Sequence, residues 1–245
     1  MISKIRIVLI LLFAAVLSGC SSVYITPGPK ADLQTLAPPS IQEGFDTKPT
    51  KPFPAGIAAV RIQASGYENY NVRRNGAIYG KGNYTVVTTR EVGEQEQFAK
   101  IEKLPEVDGI ISLNRMLLPE NLTGLKDLRA SAAQLHADLM LIYTFETKFL
   151  DNNSSKSLTV ITLGLSPTRK ITATTTVSAL LMDTRTGFIY SAYESTEKEE
   201  KLSSSWSSEE NADKARQKTE SRAFEKLVDE MVDSWPRLLK RYSGK

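Results

Sequence analysis

The sequence contains very few of the residues from which most active sites are built. Its 245 residues include one cysteine, Cys20, and one histidine, His136. A single histidine makes a Ser-His-Asp triad or a multi-histidine metal site hard to build, and a single cysteine cannot form an internal disulfide. We therefore expect no cofactor, no bound metal and no catalytic residue, with His136 in a structural or solvated position.

The chain also has little net charge and no long apolar run beyond its first residues. Lys and Arg total 31 against 28 Asp and Glu, and removal of a leader containing Lys4 and Arg6 leaves 29 against 28. A nearly neutral protein has no overall field that attracts nucleic acid, so we expect no nucleic-acid partner. No later stretch approaches the ~20 apolar residues that span a bilayer.

The N-terminus does carry a processing signal. A short basic region precedes the apolar run Ile7–Val16, and the sequence Leu17-Ser18-Gly19-Cys20 follows. This pattern resembles the lipobox of bacterial lipoproteins, in which leucine and two small residues precede the cysteine. The alternative is an ordinary secretory signal whose cleavage leaves a free or buried thiol.

The lipobox resemblance implies a signal peptide over residues 1–19 and lipid attachment at Cys20. A diacylglycerol is expected on the sulfur, and an acyl chain such as palmitate on the new amino terminus, so that anchoring is effectively permanent. Lipoproteins kept in the inner membrane usually have aspartate after the cysteine, whereas this chain has Ser21. We therefore expect an anchor in the outer membrane, on its periplasmic face.

Residues 20–55 are predicted to form a tether. Seven of the eleven prolines lie between Pro27 and Pro54, among few large apolar residues. In a polyproline conformation, at ~3.1 Å per residue, this segment would reach roughly 100 Å from the membrane. The alternative is an ordered arm in which Phe53, or the stretch Val23–Ile25, packs on the folded domain.

Residues 56–245 are predicted to form a single periplasmic domain. Short β-branched runs alternate with helical periodicity in its first half, and long amphipathic strands follow. The predicted strands are 56–62, 84–88, 107–113, 137–149, 158–165, 171–183 and 188–196, and the predicted helices are 91–104, one capped by Thr123, and a long one from Ser207. This order predicts an α/β (α+β) fold, a sandwich of a mixed, largely antiparallel sheet with helices packed on it.

Two C-terminal features are strongly patterned. The sequence Asp183-Thr184-Arg185-Thr186-Gly187 predicts a hairpin turn, with glycine where a positive φ is required. The last helix carries an apolar stripe that predicts a long amphipathic helix covering one side of the sheet. Pro236 is predicted to kink this helix or to separate its final turn.

The segment Ser65–Tyr84 is the predicted partner-binding surface. It combines several glycines with tyrosines and arginines, residue types that supply rigid contact area and directed hydrogen bonds. The candidate contact residues are Tyr67, Tyr70, Arg73 and Arg74. A loop folded against its own sheet explains the same composition.

The carboxylates near strand ends are weaker candidates for a site. Asp138, Glu146, Asp151 and Asp183 could supply acid and base to a glycan-acting enzyme. No spacing among them singles out a pair, and solvated turns and a helix–sheet junction are the favoured explanation.

The ordered elements of the domain together resemble a group of periplasmic lipoprotein domains. The resemblance is carried by Gly56–Ile62, Tyr84–Val87, Leu128–Leu141, the Leu180–Gly187 hairpin and the C-terminal helix. The group comprises the curli-secretion channel, the penicillin-binding-protein activators and the amino-terminal domain of the Tol-Pal translocation protein. It implies a function in binding and assembly, although those domains place an amphipathic helix after the first strand, where this chain has a glycine- and tyrosine-rich segment.

Together these features predict a non-enzymatic, lipid-anchored envelope protein that binds or scaffolds a partner in envelope biogenesis or secretion. The expected partner is a periplasmic protein or peptidoglycan. In one alternative, the strands Leu158–Leu165 and Ile171–Asp183 leave the domain as a membrane hairpin and a homo-oligomer forms a secretion pore. In another, the carboxylates act on glycans.

Overall fold

A computed structural model describes residues 27–32, 41–50, 53–70, 76–153, 169–203 and 208–243 of the chain. The lipid-attachment residue Cys20, the arginines Arg73 and Arg74, and the predicted strand Leu158–Leu165 lie outside the described residues.

The predicted α+β architecture is confirmed. The helices are α1 (Ile41–Asp46), α2 (Glu94–Ile101), α3 (Leu125–Gln134) and α4 (Ser208–Tyr242), with a short 3-10 helix at Arg115–Leu117. The strands are β1 (Ala55–Ala64), β2 (Ile78–Tyr79), β3 (Lys81–Gly82), β4 (Tyr84–Val87), β5 (Val107–Ser112), β6 (Asn121–Leu122), β7 (Leu139–Asn153), β8 (Arg169–Asp183) and β9 (Ile189–Ser203). No helix in the described part of the chain is long and apolar enough to cross a membrane.

The main sheet is mixed, with its strands in the order β2-β4-β1-β7-β8-β9 and with β5 also paired to β1. Strand β1 pairs in parallel with β5 and β7, and antiparallel with β4. Strands β7, β8 and β9 form a long antiparallel unit in which Leu139 faces Asp183 and Asn153 faces Arg169. Strands β3 and β6 form a separate parallel pair.

The sheet has a hydrophobic core on each face. On one face, α2 and α4 cover apolar side chains of β1, β7 and β8, with Phe224 and Trp235 of α4 fully buried. On the other face, α3 covers the strand residues that alternate with these, including Met140 and Ile142 of β7. Alternate residues of β1 therefore enter different cores, which explains why nearly the whole strand is buried.

Two helix-end predictions are corrected in detail. The N-cap of helix α3 is Gly124, where the sequence predicted Thr123. The carboxylate of Asp127 accepts hydrogen bonds from the N–H groups of both Thr123 and Gly124, at 2.7 and 3.1 Å. Helix α4 continues through Pro236 to Tyr242, so no final turn is split off. In α4 the side of the helix that carries Trp235 remains packed on the sheet.

Two described parts of the predicted tether lie against the domain, whereas α1 is exposed. Pro29 accepts the N–H of Ala64 at 3.2 Å, and Lys30 forms an antiparallel bridge with Gln63. Ala31 is 3% exposed, and its N–H donates to the hydroxyl of Thr144 at 3.2 Å. These contacts place residues 28–31, here called the N-terminal arm, between β1 and β7, where a semi-extended tether was expected.

The second contact of this segment lies just before β1. Thr50 donates from both its N–H and its hydroxyl to Asp183, at 2.9 and 2.6 Å. The ring of Phe53 packs edge-on against Tyr190 and Trp235, with centroids 6.2 and 6.0 Å apart. The alternative interpretation, in which Phe53 packs as part of an ordered arm, describes these contacts; the domain boundaries stay predictions.

Strand β8 lies inside the main sheet rather than in a separate hairpin. It pairs with β7 on one side and with β9 on the other, from Arg169 to Asp183. The pore interpretation required residues 171–183 to leave the domain, and in this structure they form an interior strand.

Candidate functional site

Tyr67, a predicted contact residue, lies in the protein interior. It is 1% exposed, and its hydroxyl accepts hydrogen bonds from Arg61 Nη2 at 3.2 Å and from Asn69 Nδ2 at 3.1 Å. It also packs against the N-terminal arm, since a side chain at Gly28 would meet the Cα of Tyr67 at 3.0 Å and its ring at 3.2 Å. Tyr67 therefore holds the loop and the arm together and does not present a surface to a partner.

Beneath Tyr67 lies a buried ion cluster formed by two arginines and four carboxylates. Glu220 Oε2 accepts from Arg61 Nη2 at 3.3 Å and from Arg216 Nη1 at 2.7 Å. Arg216 also donates to Glu91 and Asp213, each at 2.9 Å. The cluster ties α4 to β1 and to the segment before α2.

The fourth carboxylate of the cluster, Glu94, is fully buried, and its Oε1 lies 3.8 Å from Arg61 Nη1. Burial raises the pKa of Glu94, although the Arg61 charge and the N–H of Val92 oppose this shift. Burial likewise raises the pKa of the Tyr67 hydroxyl. These groups face one another inside the protein, so the cluster is suited to fixing the loop and not to meeting a ligand.

The structure leaves the remaining predicted site residues untested. Tyr70 is half-buried. Arg73, Arg74 and Cys20 lie outside the described residues. Burial removes Tyr67 from the predicted surface, and the contact role of Tyr70, Arg73 and Arg74 stays a prediction.

A different tyrosine- and arginine-rich surface lies between the end of α4 and the start of β9. It is an open groove of about 340 Å³. We call it the distal groove, and its lining residues are Tyr190, Ser191, Tyr193, Ser234, Arg237, Leu238, Arg241 and Tyr242. The two arginines are exposed and lie one helical turn apart on α4, so both reach the same side of the groove.

The floor of the distal groove is held by aromatic packing and hydrogen bonds. Tyr190 meets Tyr242 edge-on with centroids 5.0 Å apart, and Phe188 packs on both rings at 5.2 and 5.8 Å. The hydroxyl of Tyr190 donates to Asp183 at 3.0 Å, and that of Tyr193 lies 3.0 Å from the hydroxyl of Ser234. A rigid aromatic floor loses little conformational entropy when a partner binds.

The chemistry of the distal groove favours an anionic partner. Guanidinium groups donate paired hydrogen bonds that match the geometry of a carboxylate. The guanidinium of Arg241 also lies 5.2 Å from the centroid of the Tyr242 ring, within the range of a cation–π contact. A carboxylate placed between Arg237 and Arg241 could contact both arginines above the aromatic floor.

Sequence reasoning missed the distal groove because of a β-bulge. Leu181 pairs with Ser191 and Met182 with Ile189, so Tyr190 is an extra residue in β9. Strict alternation puts Tyr190 and Tyr193 on opposite faces, whereas the bulge lets both reach the core side. The spacing of the arginines in Arg237-Leu238-Leu239-Lys240-Arg241 was the available signal in the sequence. Without the register of β8 against β9, nothing indicated that these arginines lie beside β9.

The candidate catalytic residues have structural contacts. Asp183 accepts from five donors around the turn, and Asp138 pairs with Arg185 at 2.8 Å. Glu146 pairs with Lys148 at 3.0 Å, while the side chain of Asp151 is outside the described part of the structure. His136 is exposed and has a positive φ of 57° where α3 ends. Among the described residues, no group of His, Cys, Asp or Glu could hold a metal ion.

Comparisons with known proteins give only distant likenesses. No family model and no curated protein matches the chain. A DUF330-family protein from Xanthomonas campestris has a TM-score of 0.37 and 11% identity, covering 81% of this chain and 95% of that one. A homolog of neuraminyllactose-binding hemagglutinin from Helicobacter pylori has a TM-score of 0.36 and 11% identity, covering 80% and 90%.

A third solved structure is described as a "putative lipoprotein" from Caulobacter crescentus CB15. It has a TM-score of 0.25 and 16% identity, and the match covers 49% of this chain and 83% of that one. At these TM-scores the likenesses carry no argument about what this chain binds or does.

Proposed function

We propose that this chain is a lipid-anchored protein of the bacterial envelope that binds an anionic periplasmic partner through its distal groove and catalyses no reaction. The observation that carries the binding proposal is the pair Arg237 and Arg241 above a rigid tyrosine floor. The anchor rests on the sequence Leu17-Ser18-Gly19-Cys20. The expected location is the periplasmic face of the outer membrane.

The exposed arginines supply directed hydrogen bonds to a partner, and the three tyrosines beneath them, 4–9% exposed, keep the groove rigid. The partner we favour is a protein that presents an acidic segment, because two arginines one turn apart match carboxylates spaced along a chain. Peptidoglycan stem peptides also carry carboxylates, and the experiment below separates the two partners.

The binding test is photo-crosslinking in cells from position 191, inside the groove. We expect one envelope protein to be captured, and we expect its capture to be lost in an Arg237→Glu/Arg241→Glu variant. A matched control is Lys126→Glu/Lys214→Glu, which makes the same charge change at exposed positions on α3 and early α4. Equal capture by both variants would remove the groove from the proposal.

Two further readouts separate the alternatives. Co-sedimentation of the purified protein with peptidoglycan sacculi, abolished by the arginine variant alone, identifies the glycan polymer as the partner. Ladders of self-crosslinks from position 191 identify a homo-oligomer.

The anchor is tested separately through Cys20. A Cys20→Ala variant is expected to remain as an unprocessed precursor or to become soluble. A mature, membrane-bound form of this variant would contradict lipid anchoring.

A further inference from the structure

The N-terminal arm determines which end of the domain lies near the lipid anchor. It runs antiparallel to β1: Lys30 bridges Gln63, Pro29 accepts from Ala64, and the N–H of Gly28 donates to the carbonyl of Glu68 at 3.1 Å. Towards lower residue numbers the arm therefore moves towards the C-terminal end of β1. Because β7 is parallel to β1, this is also the end towards which β7 runs.

The length of chain before the arm limits the distance to the anchor. Gly28 is eight residues after Cys20. At no more than ~3.5 Å per residue, those residues reach about 28 Å, even when fully extended. Cys20 therefore lies within about 28 Å of Gly28 whenever the arm is docked, in place of the roughly 100 Å that a free tether allows.

The opposite end of the domain is beyond this reach. Ala55, which starts β1, is eight residues before Gln63, and Gly28 is two residues from Lys30, which faces Gln63. At ~3.4 Å per residue the two distances add to about 34 Å. With the arm docked, Cys20 therefore stops short of the end where β1 and β5 begin.

The near end carries the longest strands of the protein. Strand β7 continues from Thr144, which contacts the arm, to Asn153, and stays paired with β8 throughout. Those nine residues extend about 30 Å at ~3.4 Å per residue. The outer part of this ribbon extends in the direction in which the arm runs towards lower residue numbers.

The described side chains on the outer part of β7 suit a phospholipid surface. Leu150 is 65% exposed although it is a large apolar residue. The side chain of Lys148, on the same face of the strand, is 75% exposed and pairs with Glu146 at 3.0 Å. An apolar side chain beside a long cationic one matches the boundary between acyl chains and phosphate groups.

We infer that the outer part of the β7–β8 ribbon, around Lys148 and Leu150, rests on the phospholipid surface that holds the Cys20 lipid. The inference rests on the anchor in the proposed function and does not involve the distal groove. The docked arm, through Gly28 and Ala31, keeps the ribbon at that surface.

The test uses the full lipidated protein, reconstituted in vesicles of phosphatidylethanolamine and phosphatidylglycerol. Since the lipid occupies Cys20, a thiol introduced by Leu150→Cys is the single site for a fluorophore. The control label is placed by Asp108→Cys, at an exposed position in β5 near the far end. Headgroup nitroxide lipids are expected to quench the label at 150 several-fold more than the label at 108.

Two arm variants test the role of docking. Ala31→Glu puts a charge at a buried position, and Gly28→Val places a branched side chain against Tyr67. Each is expected to lengthen the free chain and to reduce quenching of the label at 150 towards that of the label at 108. The far-ultraviolet circular dichroism of each variant checks that the domain remains folded, and the second variant replaces the first if the first unfolds.

The outcomes distinguish this inference from the proposed function. Wild-type protein that does not float with the vesicles overturns the lipid anchor and this inference with it. Protein that floats but shows equal quenching at positions 150 and 108 overturns this inference alone. Strong quenching at 150 that both folded arm variants retain overturns the role of the arm.

Discussion

At the scale of single residues, Arg216 is central to the buried ion cluster. It is fully buried, and three carboxylates accept from it: Glu91, Asp213 and Glu220. Removing one partner from a buried ion cluster costs about 3–5 kcal/mol, because the charges left behind lose their compensation. We expect Arg216→Met to lower the free energy of unfolding by that amount in urea titrations.

The matched control removes a carboxylate as well. In Arg216→Met/Glu220→Gln the buried negative charge nearest to Arg216 is also lost, so the loss of stability is expected to be smaller than the sum of the two single losses. A single-variant loss below about 1 kcal/mol would mean that water reaches the cluster in solution.

Glu94 gives the protein a pH dependence of definite sign. Burial raises its pKa above the ordinary value of 4.5, so the folded state holds this proton more tightly than the unfolded state does. Its contribution to stability is complete below pH 4.5 and is lost as the pH rises through the pKa of the folded state. We expect Glu94→Gln to lose less stability than the wild type as the pH rises above 4.5.

Urea midpoints of both proteins between pH 4 and pH 8 measure this difference. Other acids titrate in the same way in both proteins, so the difference curve isolates Glu94. A control at exposed Glu96, through Glu96→Gln, is expected to run parallel to the wild type. A flat difference curve for Glu94→Gln would mean that Arg61 compensates the charged form fully.

At the scale of elements, the β8–β9 turn depends on one carboxylate. Asp183 accepts from the N–H and hydroxyl of Thr50, from the N–H groups of Arg185 and Thr186, and from the hydroxyl of Tyr190, all between 2.6 and 3.0 Å. Burial alone would raise its pKa, but these donors, Thr50 foremost, lower it. Its contribution to stability is therefore present above pH 3.8 and lost as the pH falls.

We expect Asp183→Asn to lower the free energy of unfolding by about 2 kcal/mol at neutral pH, since an amide nitrogen would face donors. The measurement is thermal and urea unfolding at pH 7 and pH 3, where the variant and the wild type should converge at the lower pH. The control is Asp138→Asn. The carboxylate of Asp138 pairs with an exposed arginine, so this substitution should change the free energy of unfolding by less than Asp183→Asn does. An equal loss in both variants would contradict a special role for the turn.

Local pattern was sufficient for most elements. The predicted strand 171–183 and helix from Ser207 differ from β8 and α4 by one or two residues at their described ends, and Gly187 has the expected positive φ of 79°. These elements follow from alternation, helical spacing and turn chemistry, which act over a few neighbouring residues. Helix α2 is shorter than predicted because Gly93, with φ of 77°, precedes its first residue, Glu94.

Long-range contacts were beyond the reach of those patterns. Tyr67 has the composition of a surface loop around it, and the sequence does not indicate that Arg61, which donates to its hydroxyl, is buried against Glu220 of α4. The distal groove depends on a single bulge at Tyr190, and a change of one residue in register reverses the side of every side chain that follows. The proline-rich composition before β1 indicated low burial, which is correct for α1 and not for Ala31.

At the scale of the whole molecule, the arm and the distal groove lie at opposite ends. Gly28 is beyond the C-terminal end of β1, whereas Tyr190 and Asp183 are beside the first residue of β7, which pairs near the start of β1. In the arrangement inferred above, with the arm docked and the β7–β8 ribbon on the lipid surface, the distal groove points away from the membrane. A partner in the periplasmic space would meet the groove without competing with the lipid surface.

The segment before β1, residues 27–54, should also contribute to the stability of the whole fold. A chain that begins at Ala55 lacks Ala31 in its buried site, both hydrogen bonds from Thr50 to Asp183, and the Phe53 ring on Tyr190 and Trp235. From apolar burial and charge-assisted hydrogen bonds we expect it to be less stable than a chain beginning at Pro27 by about 4 kcal/mol.

Urea unfolding of both chains measures the difference, and a chain beginning at Pro27 with Thr50→Ala and Phe53→Ala divides it between the two contact regions. That variant should fall between the other two, because its arm at Gly28–Ala31 remains in place. Equal stability of all three chains would mean that residues 27–54 act as a free tether. In that case the limit of about 28 Å between Cys20 and Gly28 would no longer fix which end of the domain faces the membrane.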